Sequence, residues 1–278
     1  MAVPEMVKYR REFIGAFNVG VSLLNDRFTS ESMDMGRSVV FDVTAVGGRM
    51  QARSIDGRIP RTSVSDTQVT CTLAEAVKKF EVTDFESFTS QSDERAKMHH
   101  RIMESVNQEL DYTILNELAN ASTTATGSGA AITLALFTSV MAELGVASVP
   151  NGPTDLTWIV SPHFESKLLN LTAYTSSDFV PTKPLESGGN AYSAQRKIRN
   201  FLGCGMIVHP NLPGAGTSSC TTYLVHRKAL GVAAPTNQIK YGAGYDEQDH
   251  YYYCSATLKS AAKILQNAGI RKFVHTDV

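Results

Sequence analysis

Two groupings of side chains contain residue types that could do chemistry. His99 and His100 are adjacent, and neighbouring side chains on a helix point about 100° apart, so the two rings cannot easily share one metal ion. Asp155, Ser161 and His163 are the residue types of a hydrolase triad. Such a triad is defined by its geometry, and nothing in the sequence orients these three side chains. We therefore predict that the histidine pair faces solvent or an interface and that neither grouping is catalytic.

A third grouping consists of carboxylates that could attract a cation. Asp246, Glu247 and Asp249 lie close together, but they lack the glycine and the terminal glutamate of a calcium-binding EF-hand loop. We interpret them as a solvated turn before a strand near Tyr251. The sequence also lacks the motifs of phosphate-binding loops, dinucleotide-binding folds, nucleophile elbows and HExxH metalloproteases. It therefore predicts no catalytic, cofactor-binding or metal-binding residue, and no enzyme.

The cysteines are far apart and form no CxxC pair. This spacing, in a protein made in the cytosol, predicts free and buried thiols, with a disulfide framework as the alternative. The four residues concerned are Cys71, Cys204, Cys220 and Cys254.

One cluster of positive charge could bind a partner. Its members lie on both sides of the turn signal Asp56-Gly57 and are Arg49, Arg53, Arg58 and Arg61. Arginine favours interfaces because its planar guanidinium pairs with carboxylates, so we predict that the cluster docks on an acidic surface of an identical subunit. A solvated hairpin tip remains the alternative. A single-stranded nucleic-acid site would need interleaved aromatic residues, and this stretch has none.

The composition is that of a globular protein with little net charge. The 278 residues are 42% hydrophobic and 19% charged, and the formal net charge is −1. This length predicts one large domain or two modest ones. Proteins that hold nucleic acid tightly are usually strongly basic, so tight DNA binding by the isolated chain is not expected. No secretory signal and no run of about 18 apolar residues is visible, so we expect no membrane contact.

The clearest predicted element is a long helix over residues 92–120, with Ser92 as its N-cap. No Gly or Pro interrupts it, and its length would be on the order of 40 Å. An apolar stripe of helical period runs along it. The stripe consists of Ile102, Val106, Leu110, Ile114 and Leu118, with Met103 and Leu115 beside them.

Shorter elements flank this helix, and together they predict an α+β fold. Strands are predicted at 38–46 and 69–73, joined as a hairpin that is marginal alone and needs another surface to pack on, and then at 156–160, 205–209, 222–225, 251–257 and 272–275. Further helices are predicted at 132–144, closed by Gly145 as C-cap, and from Ser161-Pro162 onward. Residues 76–88 are predicted as a strand or mixed link, 228–234 as a short buried helix or strand, and 172–192 as a loop.

Three segments in the C-terminal half resemble one known family. They are 205–213 (GMIVHPNLP), 223–233 (YLVHRKALGVA) and 255–274. With the order of arm, basic hairpin, long helix and α+β region, they resemble the Hong Kong 97-type fold of tailed-phage major capsid proteins. The resemblance implies an N-terminal arm and first strand at 1–47 and an extended loop at 48–77. It also implies a peripheral domain at 78–131 and 241–278 with a spine helix at 92–120, and an axial domain at 132–240.

The same resemblance implies a structural role. The chain would self-assemble into hexamers and pentamers of an icosahedral capsid that encloses phage double-stranded DNA, in the virion, after assembly in the host bacterial cytoplasm. A separate scaffolding protein, a portal, non-specific contact with packaged DNA and a possible decoration protein are further expected partners. Residues 48–73 contain no lysine, which predicts a shell without covalent cross-links. An encapsulin-like cage around a protein cargo is the alternative, and a soluble hydrolase is a more remote one.

Overall fold

The computed structural model describes residues 22–46, 48–50, 52–53, 59, 64–90, 93–126, 129, 132–150, 152, 155–171 and 199–277. Four sequence predictions therefore lie outside the described residues: the arm before residue 22, the Asp56-Gly57 turn with Arg58 and Arg61, Ser92 as a helix cap, and the loop at 172–192.

The described residues form twelve strands and four α-helices. The strands are β1 (Thr29–Met33), β2 (Ser38–Val43), β3 (Thr67–Thr72), β4 (Ala74–Thr83), β5 (Leu156–Val160), β6 (Arg199–Phe201), β7 (Cys204–Val208), β8 (Cys220–His226), β9 (Leu230–Pro235), β10 (Ile239–Asp246), β11 (Tyr251–Ile264) and β12 (Ile270–His275). The helices are α1 (Asp84–Thr89), α2 (Glu94–Ala119), α3 (Leu134–Val146) and α4 (Pro162–Leu169). None of these helices is long and apolar enough to cross a membrane.

The first sheet is organised around the long strand β11. Its strand order is β1-β9-β11-β10, and β4 also pairs with β11. Helix α2 packs along one face, where its residues Met98, Ile102 and Val106 join Cys254 and Leu258 of β11 in one buried cluster. The sheet and the long helix therefore form a single layered unit.

Helix α2 confirms the predicted apolar stripe and corrects two details. All five residues of the stripe and Leu115 are buried, whereas Met103 is 57% exposed. The N-cap is Asp93, whose carboxylate accepts hydrogen bonds from the backbone N–H groups of Arg95 and Ala96 at 3.1 Å each. The cap therefore lies one residue later than predicted, and Ser92 itself is outside the described residues.

The second sheet has the strand order β12-β8-β5-β7-β6. Strand β5 has the predicted bounds and is buried along its whole length. Helices α3 and α4 cover the sheet through an aromatic cluster in which the Phe137 ring lies 5.0 Å from that of Trp158 and 5.7 Å from that of Phe164. Helix α4 begins as predicted, with Ser161 as N-cap and Pro162 in its first turn.

The predicted C-cap of the second helix is wrong. Helix α3 runs past Gly145 to Val146, and the cap residue is Ala147. Gly145 is not among the described residues with positive φ; the left-handed residue is Ser148, with φ 57°. The chain leaves the helix there, where the backbone N–H of Val149 bonds to the Leu144 carbonyl at 3.0 Å.

The predicted hairpin strands pair as expected. Strands β2 and β3 are antiparallel, with Val39 opposite Cys71 and Phe41 opposite Val69. Val39, Phe41 and Cys71 pack on Ala233 and Ala261 of the first sheet. The paired strands of the hairpin therefore rest on their own chain.

Candidate assembly surfaces and buried polar clusters

The loop between β2 and β3 presents charge and apolar surface together. Arg49 and Arg53 are exposed, and the part of the chain that the structure describes gives neither of them an ion pair. Their apolar neighbours Val46, Met50 and Ile59 are 93%, 103% and 75% exposed. Exposed apolar side chains within one short stretch of chain are typical of a surface that becomes buried against a partner. We call these five residues the loop surface.

A second exposed surface lies at one end of the first sheet. Helix α1 begins at Asp84, whose carboxylate accepts a hydrogen bond from the Tyr245 hydroxyl at 2.6 Å, and the Asp84 N–H bonds to the His250 carbonyl at 3.1 Å. These contacts place α1 beside the turn between β10 and β11. The surface carries exposed Phe85 and Phe88 together with Asp84, Glu86, Asp246, Glu247 and Asp249, and we call it the acidic tip.

The sequence prediction missed helix α1 although a local signal for it exists. The Thr83 side chain accepts from the Glu86 N–H at 3.2 Å, and the Glu86 carboxylate accepts from the Thr83 N–H at 3.1 Å. This reciprocal pair is a capping box, and the T-x-x-E spacing is visible in the sequence. Residues 76–88 are therefore strand β4 followed by a helix.

A buried carboxylate connects three separate parts of the chain. Asp111 of α2 is 3% exposed, and its oxygens accept hydrogen bonds from the Ser22 hydroxyl at 2.6 Å and from the N–H groups of Leu23 and Leu24 at 3.1 and 3.2 Å. His209, which follows β7, contributes Nε2 at 3.1 Å. Together these residues form what we call the Asp111 cluster, which fixes the segment before β1 to both sheets.

The hydrogen bonds of the Asp111 cluster define its protonation. The Asn211 N–H donates to His209 Nδ1 at 3.1 Å, so Nε2 carries the ring proton and donates it to Asp111. Burial alone would raise the pKa of Asp111, but the hydrogen bonds from His209, Ser22 and Leu23 outweigh burial and lower this pKa below its ordinary value. Asp111 is therefore held as a carboxylate.

A second buried carboxylate lies near the end of the chain. Asp277 is 0% exposed; it accepts hydrogen bonds from the Ser161 hydroxyl and, at 2.9 Å, from the Gly216 N–H. Cys220 and His275 are also buried here, and burial and the Asp277 charge raise the pKa of the Cys220 thiol to about 12. We call Cys220, His275 and Asp277 the Asp277 cluster.

The structure separates the members of the suspected triad. The Ser161 oxygen accepts from the Phe164 N–H at 3.0 Å as a helix cap and donates to Asp277, while His163 is exposed. The geometry does not form a Ser–His–Asp relay.

The remaining sequence groupings are found in the environments predicted for them. His99 and His100 are both exposed. Asp246 accepts from the Gln248 N–H at 3.0 Å inside the turn before β11, as expected for a solvated turn. All four cysteines are free and buried, which confirms that prediction.

Comparison with known proteins defines the class of this chain. Residues 67–258, more than half of the sequence, match the family described as phage capsid protein. The chain belongs to this family of structural shell proteins. None of the proteins with curated functions matches the sequence significantly.

Solved capsid structures show the same fold. The structure from Mycobacterium phage Che8 has a TM-score of 0.74 at 18% identity, covering 98% of this chain and 96% of that chain. The capsid of Ralstonia phage GP4 has a TM-score of 0.70 at 11% identity, covering 98% of this chain and 96% of that chain. The capsid of cyanophage P-SCSP1u has a TM-score of 0.69 at 14% identity, covering 98% of this chain and 93% of that chain. The predicted Hong Kong 97-like α+β fold is thus confirmed.

Family and fold together settle the general role. The chain is a structural subunit of a phage capsid, it forms multi-subunit shells with identical copies, and it is part of the virion. The match favours neither the encapsulin-like cage nor the hydrolase, and members of this family are not enzymes.

Proposed function

We propose that the chain assembles into hexamers and pentamers of an icosahedral shell around phage double-stranded DNA. In this proposal, assembly takes place in the host cytoplasm with a separate scaffolding protein and a portal. Contact with the packaged DNA is non-specific, which agrees with a net charge of −1, because tight phosphate binding requires a strongly basic surface. A decoration protein on the outside is compatible with this shell.

We also propose domain limits close to those that the sequence predicted. Residues 1–47 form the N-terminal arm and first strand, 48–77 the extended loop, 78–131 and 241–278 the peripheral domain, and 132–240 the axial domain. The strand order supports two adjustments. Strand β12 pairs with β8 of the second sheet, and β9 pairs with β11 of the first, so β12 is better grouped with the axial part and β9 with the peripheral part.

The observation that carries the assembly proposal is the complementarity of the two exposed surfaces. The loop surface combines Arg49 and Arg53 with exposed apolar side chains. The acidic tip combines its carboxylates with exposed Phe85 and Phe88. Opposite charges around apolar contacts favour docking of one subunit on the next. We propose that the loop surface of one subunit, together with Arg58 and Arg61, binds the acidic tip of a neighbouring copy.

A charge reversal and its rescue test this docking. Arg49→Glu combined with Arg53→Glu should leave the subunit folded, because both side chains are exposed, but should reduce shell yield at least about tenfold if two close charge pairs are lost. Glu247→Arg combined with Asp249→Arg should by itself also reduce the yield. When all four changes are combined in one chain, the pairing is restored with opposite signs and shells should return. Electron microscopy and sedimentation measure the shells.

A matched control changes the same amount of charge elsewhere. Arg227→Glu with Lys228→Glu reverses two exposed cations that lie on neither surface. Adding Glu247→Arg and Asp249→Arg to this variant should not raise its shell yield, because Arg227 and Lys228 do not pair with the acidic tip. Shells of normal yield from the Arg49/Arg53 variant would reject the docking role, and failure of the four-fold variant to recover would reject the acidic tip as its partner.

A further inference from the structure

The Asp277 cluster brings together three different metal-ligating side chains. Cys220 and His275 face each other in the pairing of β8 with β12, and Asp277 follows His275 by two residues. One ligand atom from each residue lies within 4.8 Å of the other two, and the three residues are 0%, 1% and 0% exposed. Sulfur, imidazole nitrogen and carboxylate oxygen are the donors that zinc binds in proteins.

The charge balance of this cluster also favours a cation. Asp277 is completely buried, and its hydrogen-bond donors, the Ser161 hydroxyl, the Gly216 N–H and the Cys220 thiol, are neutral. Within the described residues no lysine or arginine pairs with it. A buried carboxylate without a positive partner is costly, because neutral donors replace only part of its hydration. Asp111 accepts four hydrogen bonds, whereas Asp277 accepts three.

We propose that Cys220, His275 and Asp277 form a binding site for a zinc-type divalent cation. When the ion binds, the metal–sulfur bond replaces the S–H bond of Cys220 and the released proton passes to solvent. The ion's two positive charges are then balanced by one thiolate and one carboxylate. The fourth ligand is water or an oxygen close to the cluster, such as the Ser161 hydroxyl.

The surroundings of His275 suit a metal-binding imidazole. Its Nε2 lies 2.8 Å from the Thr222 hydroxyl oxygen, which can accept a hydrogen bond from Nε2–H and hold the ring in place, as the partners of metal-bound histidines do. Nδ1 is then available for the ion. Its contact with the Thr276 carbonyl is 3.3 Å long, beyond the usual range for such a bond, so metal binding displaces little.

Binding of the ion would have a structural effect. The loop between Pro213 and Cys220 is largely exposed and covers the cluster through the bond from Gly216 to Asp277. A bound ion would fasten the segment after β12 to the start of β8 and thus close this edge of the second sheet. This role concerns the stability of the subunit and does not depend on the proposed docking between subunits.

Metal titration of the purified subunit and of assembled shells tests the site directly. After chelation and removal of the chelator, added Zn²⁺ should bind at one ion per subunit and raise the thermal midpoint by on the order of 5 °C once the ion is in large excess over its Kd. Co²⁺ used as a spectroscopic probe should give the near-ultraviolet charge-transfer band of a thiolate ligand. Binding without that band, or no binding, would overturn the proposal.

Two cysteine variants give the matched comparison. Cys220→Ala and Cys204→Ala each remove a fully buried thiol, but Cys204 lies against Met141, away from the Asp277 cluster. The zinc-dependent rise in the midpoint and the cobalt band should disappear only in Cys220→Ala. If Cys220→Ala does not fold, Asp277→Asn provides a second variant, in which the stoichiometric binding should also be lost. Equal metal responses in the wild type and either cluster variant would reject the site.

Discussion

The protein buries two carboxylates, Asp111 and Asp277, and their oxygens accept hydrogen bonds from different kinds of partner. Asp111 lies in the middle of a long helix and accepts hydrogen bonds from segments that are 87 to 98 residues away in the sequence. Asp277 lies near the chain end and accepts hydrogen bonds from the Ser161 hydroxyl and the Gly216 N–H. Asp111 therefore joins separate parts of the fold, whereas Asp277 fastens one edge of one sheet.

This difference has a consequence for how the subunit tolerates change. Removal of Asp111 would leave four buried or partly buried donors in two segments without an acceptor, and each unsatisfied buried group costs free energy. Removal of Asp277 leaves the hydroxyl of the cap residue Ser161 and the N–H of Gly216 without their acceptor. Gly216 lies in an exposed loop, where its N–H can bond to water instead. We expect the first cluster to control the global stability of the subunit and the second to control local order.

The largest effect is expected for Asp111→Ala. This change leaves the Ser22 hydroxyl, the Leu23 and Leu24 N–H groups and the His209 ring N–H without their acceptor, and should lower the free energy of unfolding by about 3–5 kcal/mol. Urea denaturation of the unassembled subunit measures it. Asp111→Asn, which retains one acceptor oxygen, serves as the milder control. A loss below about 1 kcal/mol for the alanine variant would contradict the central role of this cluster.

A smaller loss is expected for Asp277→Ala in metal-free buffer. Ser161 keeps its role as helix cap, and Gly216 lies in an exposed loop, so the free energy of unfolding should fall by about 1–3 kcal/mol. Hydrogen exchange should show the change mainly in β12 and in the loop before Cys220. If the loss equalled that of Asp111→Ala and spread over both sheets, the contrast between the two clusters would be wrong.

The smallest expected effect is the pH dependence that Asp111 gives to the free energy of unfolding. The pKa of Asp111 in the folded protein is lowered below its ordinary value. Its contribution to the free energy of unfolding is therefore fully present above the unfolded pKa of about 3.9, and it is lost as the pH falls through the folded pKa. The stability difference between wild type and Asp111→Asn should therefore be constant from neutral pH to about pH 5 and shrink below about pH 4. A difference that stays constant throughout acid titration would contradict this assignment.

Local patterns predicted several elements well, for reasons that individual residues make clear. The stripe from Ile102 to Leu118 has the period of a helix, and Ser161 followed by Pro162 is a helix start. Gly145 was misleading, since the glycine is helical and the chain turns at Ser148 instead. The Thr83–Glu86 capping box is a local signal for α1 that directly follows the strand-like residues of β4.

Sequence by itself determined the α+β class, the long helix, the free buried cysteines and the membership of a capsid family, because local periodicity and recognisable segments are sufficient for these. Only the tertiary structure decided that Asp111, one position after Leu110 on the helix, would be buried. It also decided that Cys220, His275 and Asp277 would meet, and that acidic residues from α1 and from the turn before β11 would form one surface. These are contacts between residues far apart in sequence, and helical or strand periodicity contains no information about which distant segments pack together.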